Sequence, residues 1–122
     1  MGQTKWIIEF YIKSNNKRCP TEEFLDNLSK TELIFIESAL NRLSEHGNNL
    51  RRPHADYLRD DIYELRVKAN RSQYRLFYFF FDGRKIIITH GYQKKTNAVS
   101  DQEIKKAIEF RRNYLAENKR QT

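Results

Sequence analysis

The stretch from Ile62 to Lys95 constrains the fold of this chain more than any other. It holds three runs rich in aromatic and β-branched residues, broken at Asn70-Arg71-Ser72 and at Asp82-Gly83. Asp-Gly between apolar runs is a strong hairpin signal, because a type I′ turn needs positive φ at both central residues. Asn70 tolerates positive φ as well. The stretch therefore reads as a three-stranded antiparallel meander.

Its register can be written from the turns. A two-residue loop at Asp82-Gly83 sets Phe81 opposite Arg84, Phe79 opposite Ile86, Phe77 opposite Ile88 and Arg75 opposite His90. In the first hairpin a loop at Asn70-Arg71 sets Arg66 opposite Arg75, whereas a loop at Arg71-Ser72 sets Lys68 there. Either register runs a cationic row across the sheet: Arg66 or Lys68, then Arg75, then His90. Like charges opposed in a sheet repel. Either their heads spread into water or an anion lies between them.

Tyr63, Leu65 and Val67 alternate with Glu64, Arg66 and Lys68, the pattern of a sheet with one buried and one open face. Tyr74 to Phe81 is apolar on both faces except at Arg75, which marks a central strand. A guanidinium on such a strand costs free energy unless it meets water or an anion. On this reading, Arg75→Ala relieves repulsion, keeps stability within about 1 kcal/mol and loses function; the alternative is an arginine that pairs with Glu64 or a nearby carboxylate and holds the sheet together, whose removal lowers stability.

Charge is concentrated on the same region. Residues 50–95 carry 11 basic and 5 acidic groups, against 6 and 7 in residues 1–49 and 6 and 4 in residues 96–122. A basic patch of this kind suits a polyanion or an acidic protein segment. The length of 122 residues suits one domain spanning 1–122. Cys19 stands alone, so no internal disulfide is available, which fits a reducing cytoplasm. There is no signal-peptide core and no apolar run long enough to cross a bilayer.

Around the meander, Trp6–Tyr11 reads as a short strand joining the sheet at its edge. Pro20-Thr21-Glu22-Glu23 reads as a helix start with Thr21 as N-cap, the helix ending near Leu28. Ser29-Lys-Thr-Glu32 matches a capping box, followed by Leu33, Ile36, Leu40 and Leu43 at helical spacing, with Gly47 as the stop. These helices form a hairpin over one face of the sheet. Asn48–Asp61 reads as a connector carrying Arg51, Arg52 and His54. Ser100-Asp-Gln-Glu103 is a second capping box, opening a helix to about Glu117. No phosphate loop, CxxC pair, HExxH or nucleophile elbow occurs, and the three histidines lack metal-ligand spacing. No metal and no cofactor are expected.

The pattern Tyr63-Glu-Leu-Arg-Val-Lys68, Gln73-Tyr-Arg-Leu-Phe-Tyr78, Asp82-Gly83 and Ile86-Ile-Ile-Thr-His-Gly-Tyr-Gln-Lys-Lys95 resembles the RelE/HigB superfamily of toxins, and most closely its phage-derived Gp49-like HigB branch. The resemblance extends to the helical hairpin and the last helix. It implies an α+β fold of the RelE-like microbial ribonuclease type, with the meander and N-terminal strand in an antiparallel sheet. It also implies an enzyme that enters the ribosome and cuts mRNA without a metal, silenced by a cognate antitoxin. That antitoxin is expected to be helix-turn-helix and HigA-like, in a heterotetrameric complex. The family's central-strand arginine matches Arg75, its preceding basic residues match Arg66 and Lys68, and those after the last strand match Lys94 or Lys95. Glu64 departs from the family's frequent Lys. Val99 falls near a position where RelE has Tyr, with His90 and Tyr92 as substitutes. His54, Arg51, Arg52 and Arg71 are the further RNA-binding candidates. The alternative is a ParE-like toxin that inhibits a topoisomerase and cuts nothing.

Overall fold

The computed structural model describes residues 5–95 and 100–119. Five strands form one sheet: β1 (Ile7–Phe10), β2 (Ala55–Arg59), β3 (Ile62–Ala69), β4 (Ser72–Phe81) and β5 (Lys85–Lys94). Their order is β1-β5-β4-β3-β2, so the meander β3-β4-β5 forms the middle and β4 lies at the centre. Three helices accompany it: α1 (Pro20–Asp26), α2 (Lys30–His46) and α3 (Asp101–Asn118).

Two features of the sheet differ from the sequence reading. The connector Asn48–Asp61 contains β2, which pairs antiparallel with β3 from Ala55↔Leu65 to Arg59↔Ile62. Its turn is Asp60-Asp61, both at positive φ (52° and 65°). Aspartate enters this region more readily than most residues, so a tight hairpin forms here without the glycine that would have announced it. Further, β1 pairs with β5 in parallel, from Ile7↔Lys85 to Phe10↔Ile88. The sheet is therefore mixed, not wholly antiparallel; the long path through α1 and α2 allows a parallel neighbour, which a tight turn would forbid.

The helix termini follow local chemistry with two corrections. Ser29 and Glu32 form the reciprocal capping box of α2: Glu32 N donates to Ser29 Oγ at 3.2 Å and Ser29 N donates to Glu32 Oε1 at 2.7 Å. Gly47 closes α2 at φ +52°, and a Cβ there would enter the Trp6 indole. At α1 the N-cap is Cys19, with Pro20 in the first turn. A proline is pre-organised for the first helical position, which moves the start one residue earlier than expected. Thr21 is instead buried inside the helix, its hydroxyl reaching Ile88 O at 3.5 Å. At α3, Ser100 Oγ accepts from Glu103 N at 3.3 Å. The Glu103 carboxylate turns to His90, so this capping box is only half formed.

The core lies on both faces of the sheet. Ile36, Ala39 and Leu43 of α2 pack on Leu65, Val67, Tyr74, Leu76 and Tyr78. On the other face Ile104 and Ala107 of α3 pack with Ile62, Phe77, Phe79 and Ile87. Each fully buried side chain of this size contributes roughly 1.5–3 kcal/mol. The face that the alternation of β3 left open is thus covered near the Asp82 end. Beyond Phe77 it turns polar, and there it carries Glu64, Arg66, Arg75 and Tyr92.

Candidate nucleic-acid interface

The two hairpins decide which side chains share this polar face. The β3–β4 loop is Asn70-Arg71, Asn70 standing at φ 58°, and it places Arg66 opposite Arg75. The β4–β5 loop has three residues, Asp82-Gly83-Arg84, so that Phe81 pairs with Lys85. A β-bulge between Phe77 and Tyr78 then adds one residue on β5: Tyr78 pairs with Ile88 but Phe77 with His90, which leaves Thr89 as the extra residue. Together they shift the register by two. Arg75 therefore faces Tyr92 and not His90, and the row across the sheet is Arg66, Arg75, Tyr92.

An anion does lie between the two arginines, and it belongs to the protein. Glu64 is 0% exposed; its Oε2 accepts from Arg66 Nε at 2.9 Å and its Oε1 lies 3.3 Å from Arg75 Nε. Arg75, 6% exposed, also donates from Nη1 to Tyr74 O at 3.3 Å and from Nη2 to Gln73 Oε1 at 3.2 Å. Asp56 extends the network, its Oδ2 lying 3.3 Å from Arg66 Nη2 and 2.7 Å from Arg52 Nη2. The Arg52 hydrogen bond is the main reason the Asp56 carboxyl sits below its ordinary value. The arrangement Arg52–Asp56–Arg66–Glu64–Arg75 converts a repelling row into a chain of alternating charge. Arg75 thus contributes to holding the sheet together, contrary to the expectation of harmless removal.

Arg66 and Arg75 also line a cleft of about 450 Å³ between α2 and the part of β3 beyond β2. Lys68, Gln73 and His54 share that lining, as do Arg42, Phe35 and Ala39 of α2. Arg42 Nη1 donates to His54 Nδ1 at 3.3 Å, which fixes the imidazole at the cleft wall. The cleft lining contains four Arg or Lys side chains and no carboxylate.

The remaining candidates are spread around this centre. His90 is buried, with Nε2 2.8 Å from Glu103 Oε1 and Nδ1 3.1 Å from Thr89 Oγ1. Burial holds its imidazole below the ordinary value, against the pull of Glu103. Both ring nitrogens are thus engaged, Nε2 tying β5 to α3 through Glu103 and Nδ1 meeting Thr89 of the same strand. Tyr92 stacks on Phe77 at 5.7 Å, and its buried hydroxyl has no hydrogen-bond partner among the described residues. Burial raises its pKa. Lys94 pairs with Gln73 across the sheet, and burial followed by the nearby Arg75 charge lowers its amine. Lys95 and Arg71 are exposed at the end of β5 and at the β3–β4 turn. Arg51 and Arg52 line a different depression, with Tyr57 and Tyr63. Val99 lies outside the described residues.

Sequence reading missed Arg42, Phe35 and the role of Asp56, whereas the pairing of Arg75 with Glu64 is the alternative that the strand pattern left open. Arg42 and Phe35 were hidden in a helix read for its apolar stripe. The signal for Glu64 is its place on the same strand face as Arg66 and Lys68.

A search of curated proteins gives no match. The family model for phage-derived protein Gp49-like (DUF891) matches residues 23–112, from α1 through the meander into α3. The chain therefore belongs to the phage-derived Gp49-like family, a family of RelE-like toxins of toxin–antitoxin systems.

Proposed function

We propose that the protein is a HigB-type toxin that cuts mRNA on the ribosome and so inhibits translation. The observation that carries this reading is the Arg66–Arg75–Tyr92 row beside an acid-free cationic cleft. RNA brings its own nucleophile, the 2′-hydroxyl. Attack of that oxygen on the adjacent phosphorus breaks the bond to the 5′-oxygen and leaves a 2′,3′-cyclic phosphate and a 5′-hydroxyl. The chemistry therefore asks for charge stabilisation and proton transfer, with no metal needed.

Arg75 and Arg66 stabilise the phosphorane, with Glu64 fixing their direction. Lys68 and His54 hold the strand in the cleft. With both His90 nitrogens engaged, the protons fall to Tyr92 and Lys94, with Lys95 next in line. The Lys94 amine, whose pKa burial and the Arg75 charge lower, takes the 2′-hydroxyl proton, and the neutral Tyr92 phenol gives a proton to the leaving 5′-oxygen. Arg51, Arg52 and Arg71 add diffuse attraction for RNA. A weak acid–base set suits an enzyme whose substrate is oriented by the ribosome.

A toxin of this kind implies an antitoxin partner. We assign it the HigA-like helix-turn-helix class, forming a heterotetramer with the toxin in the cytoplasm. A small helix-turn-helix reading frame beside the gene is the cheapest check. The decisive experiment maps mRNA 5′ ends in a translating extract, with purified RNA in EDTA and a DNA supercoiling assay in parallel. Cleavage confined to translated mRNA supports the reading. Equal cleavage of naked RNA refutes the ribosome dependence, and loss of supercoiling without cleavage establishes the ParE-like alternative.

A further inference from the structure

The cleft has an apolar wall that the reaction above does not use. Phe35 stands on α2 at its rim, 40% exposed, with Ala39 and Val67 lining the cleft beside it. Phe35, Ala39 and Arg42 recur at i, i+4 and i+7, so one face of α2 presents a ring, a methyl group and a guanidinium in line. Lys68 faces them from β3 and makes no ion pair among the described residues. The acids of this region, Glu64 and Asp56, are already bonded to arginines and stay out of the lining. A volume of about 450 Å³ is within the range of small-ligand sites.

We propose that this cleft holds one nucleotide of single-stranded RNA next to the scissile phosphate, its base stacked on Phe35 and its phosphate between Arg42 and Lys68. The inference rests on the endonuclease reading for the neighbouring phosphate. One ring and one cation lie side by side along α2, as a base and its phosphate do in one nucleotide. An unpaired base has a flat face to offer an open aromatic ring. An acidic protein segment would use the cations without requiring the ring.

Anisotropy of a fluorescent single-stranded 2′-O-methyl RNA reads this contact apart from chemistry, because that probe cannot be cut. Phe35→Ala is expected to weaken binding about tenfold with its salt dependence unchanged. Arg42→Ala is expected to weaken binding and to reduce the slope against log salt by about 0.7. Ile34→Ala is the control, since Ile34 is 64% exposed but lies outside the cleft; its binding stays that of the wild type. Melting curves confirm that each variant is folded.

Wild-type affinity in Phe35→Ala, an equal loss in Ile34→Ala, or no binding by the wild type overturns the proposal. So does an Arg42→Ala variant that weakens polyglutamate and RNA equally while Phe35→Ala weakens neither, which would make the cleft the seat of an acidic protein segment. The two readings fail separately. Phe35-dependent RNA binding without mRNA cleavage removes the endonuclease and keeps the nucleotide site. Cleavage on ribosomes with Phe35→Ala binding and cutting like the wild type does the reverse.

Discussion

Arg75→Ala tests the central row most directly, because fold and chemistry both meet there. The guanidinium lies 3.3 Å from a fully buried Glu64, and its removal leaves that carboxylate with Arg66 alone, at 2.9 Å. Breaking a buried ion pair outright costs about 3–5 kcal/mol, mostly through the charge left behind. With Arg66 still in place we expect less than that, about 1–3 kcal/mol. For a domain of this size that is a fall in Tm of about 4–12 °C. The double variant Arg75→Ala/Glu64→Gln removes the stranded charge and is expected to regain at least half of the loss. Cleavage per folded molecule is expected to fall about a hundredfold or more, because one transition-state donor is gone. The assay is a thermal melt and a ribosomal mRNA cleavage rate on the same samples. An unchanged Tm, or a double variant no more stable than the single one, would refute the charge-chain account. A destabilised Arg75→Ala with full activity per folded molecule would remove Arg75 from the site.

Four further outcomes are expected. An imidazole in the unfolded chain takes up its proton near pH 6.5, whereas burial keeps folded His90 neutral to lower pH. The unfolded state therefore binds more protons just below pH 6.5, so His90 destabilises the fold as pH falls through that value. Melts from pH 8 to pH 5 read this, and a Tm that rises on acidification would mean an ion pair with Glu103 dominates. Gly47→Ala forces a Cβ into the Trp6 indole at φ +52° and is expected to cost about 2 kcal/mol or more in a denaturant melt. Tyr74→Phe removes the hydroxyl that Tyr74 donates to Glu32; a loss of about 1 kcal/mol in the same melt is expected, without loss of cleavage. Lys94→Met is expected to slow cleavage at least tenfold while Lys95→Met, on the exposed side of the strand end, changes it less than threefold.

Much of this protein is legible in its sequence because the deciding forces are local. Period-two alternation and turn residues place β3, β4 and β5, and helical spacing with Ser29-Glu32 and Gly47 delimits α2. Composition alone puts the basic excess on residues 50–95, and the strand pattern singles out Arg75. The register is different, because one extra loop residue at Arg84 moves every pair by one and one bulged residue at Thr89 moves the pairs from Phe77 to Gln73 by one more. Neither leaves a local mark stronger than the Asp-Gly signal it overrides. Thus Tyr92, not His90, came to face Arg75. The pairing of Glu64 with Arg75 depends on the β3–β4 register, and the meeting of Phe35 and Arg42 with β3 depends on contacts between residues far apart in the chain. Sequence fixes which charges are available; only the packed sheet and helices decide which of them are neutralised by a neighbour and which are left to face a cleft.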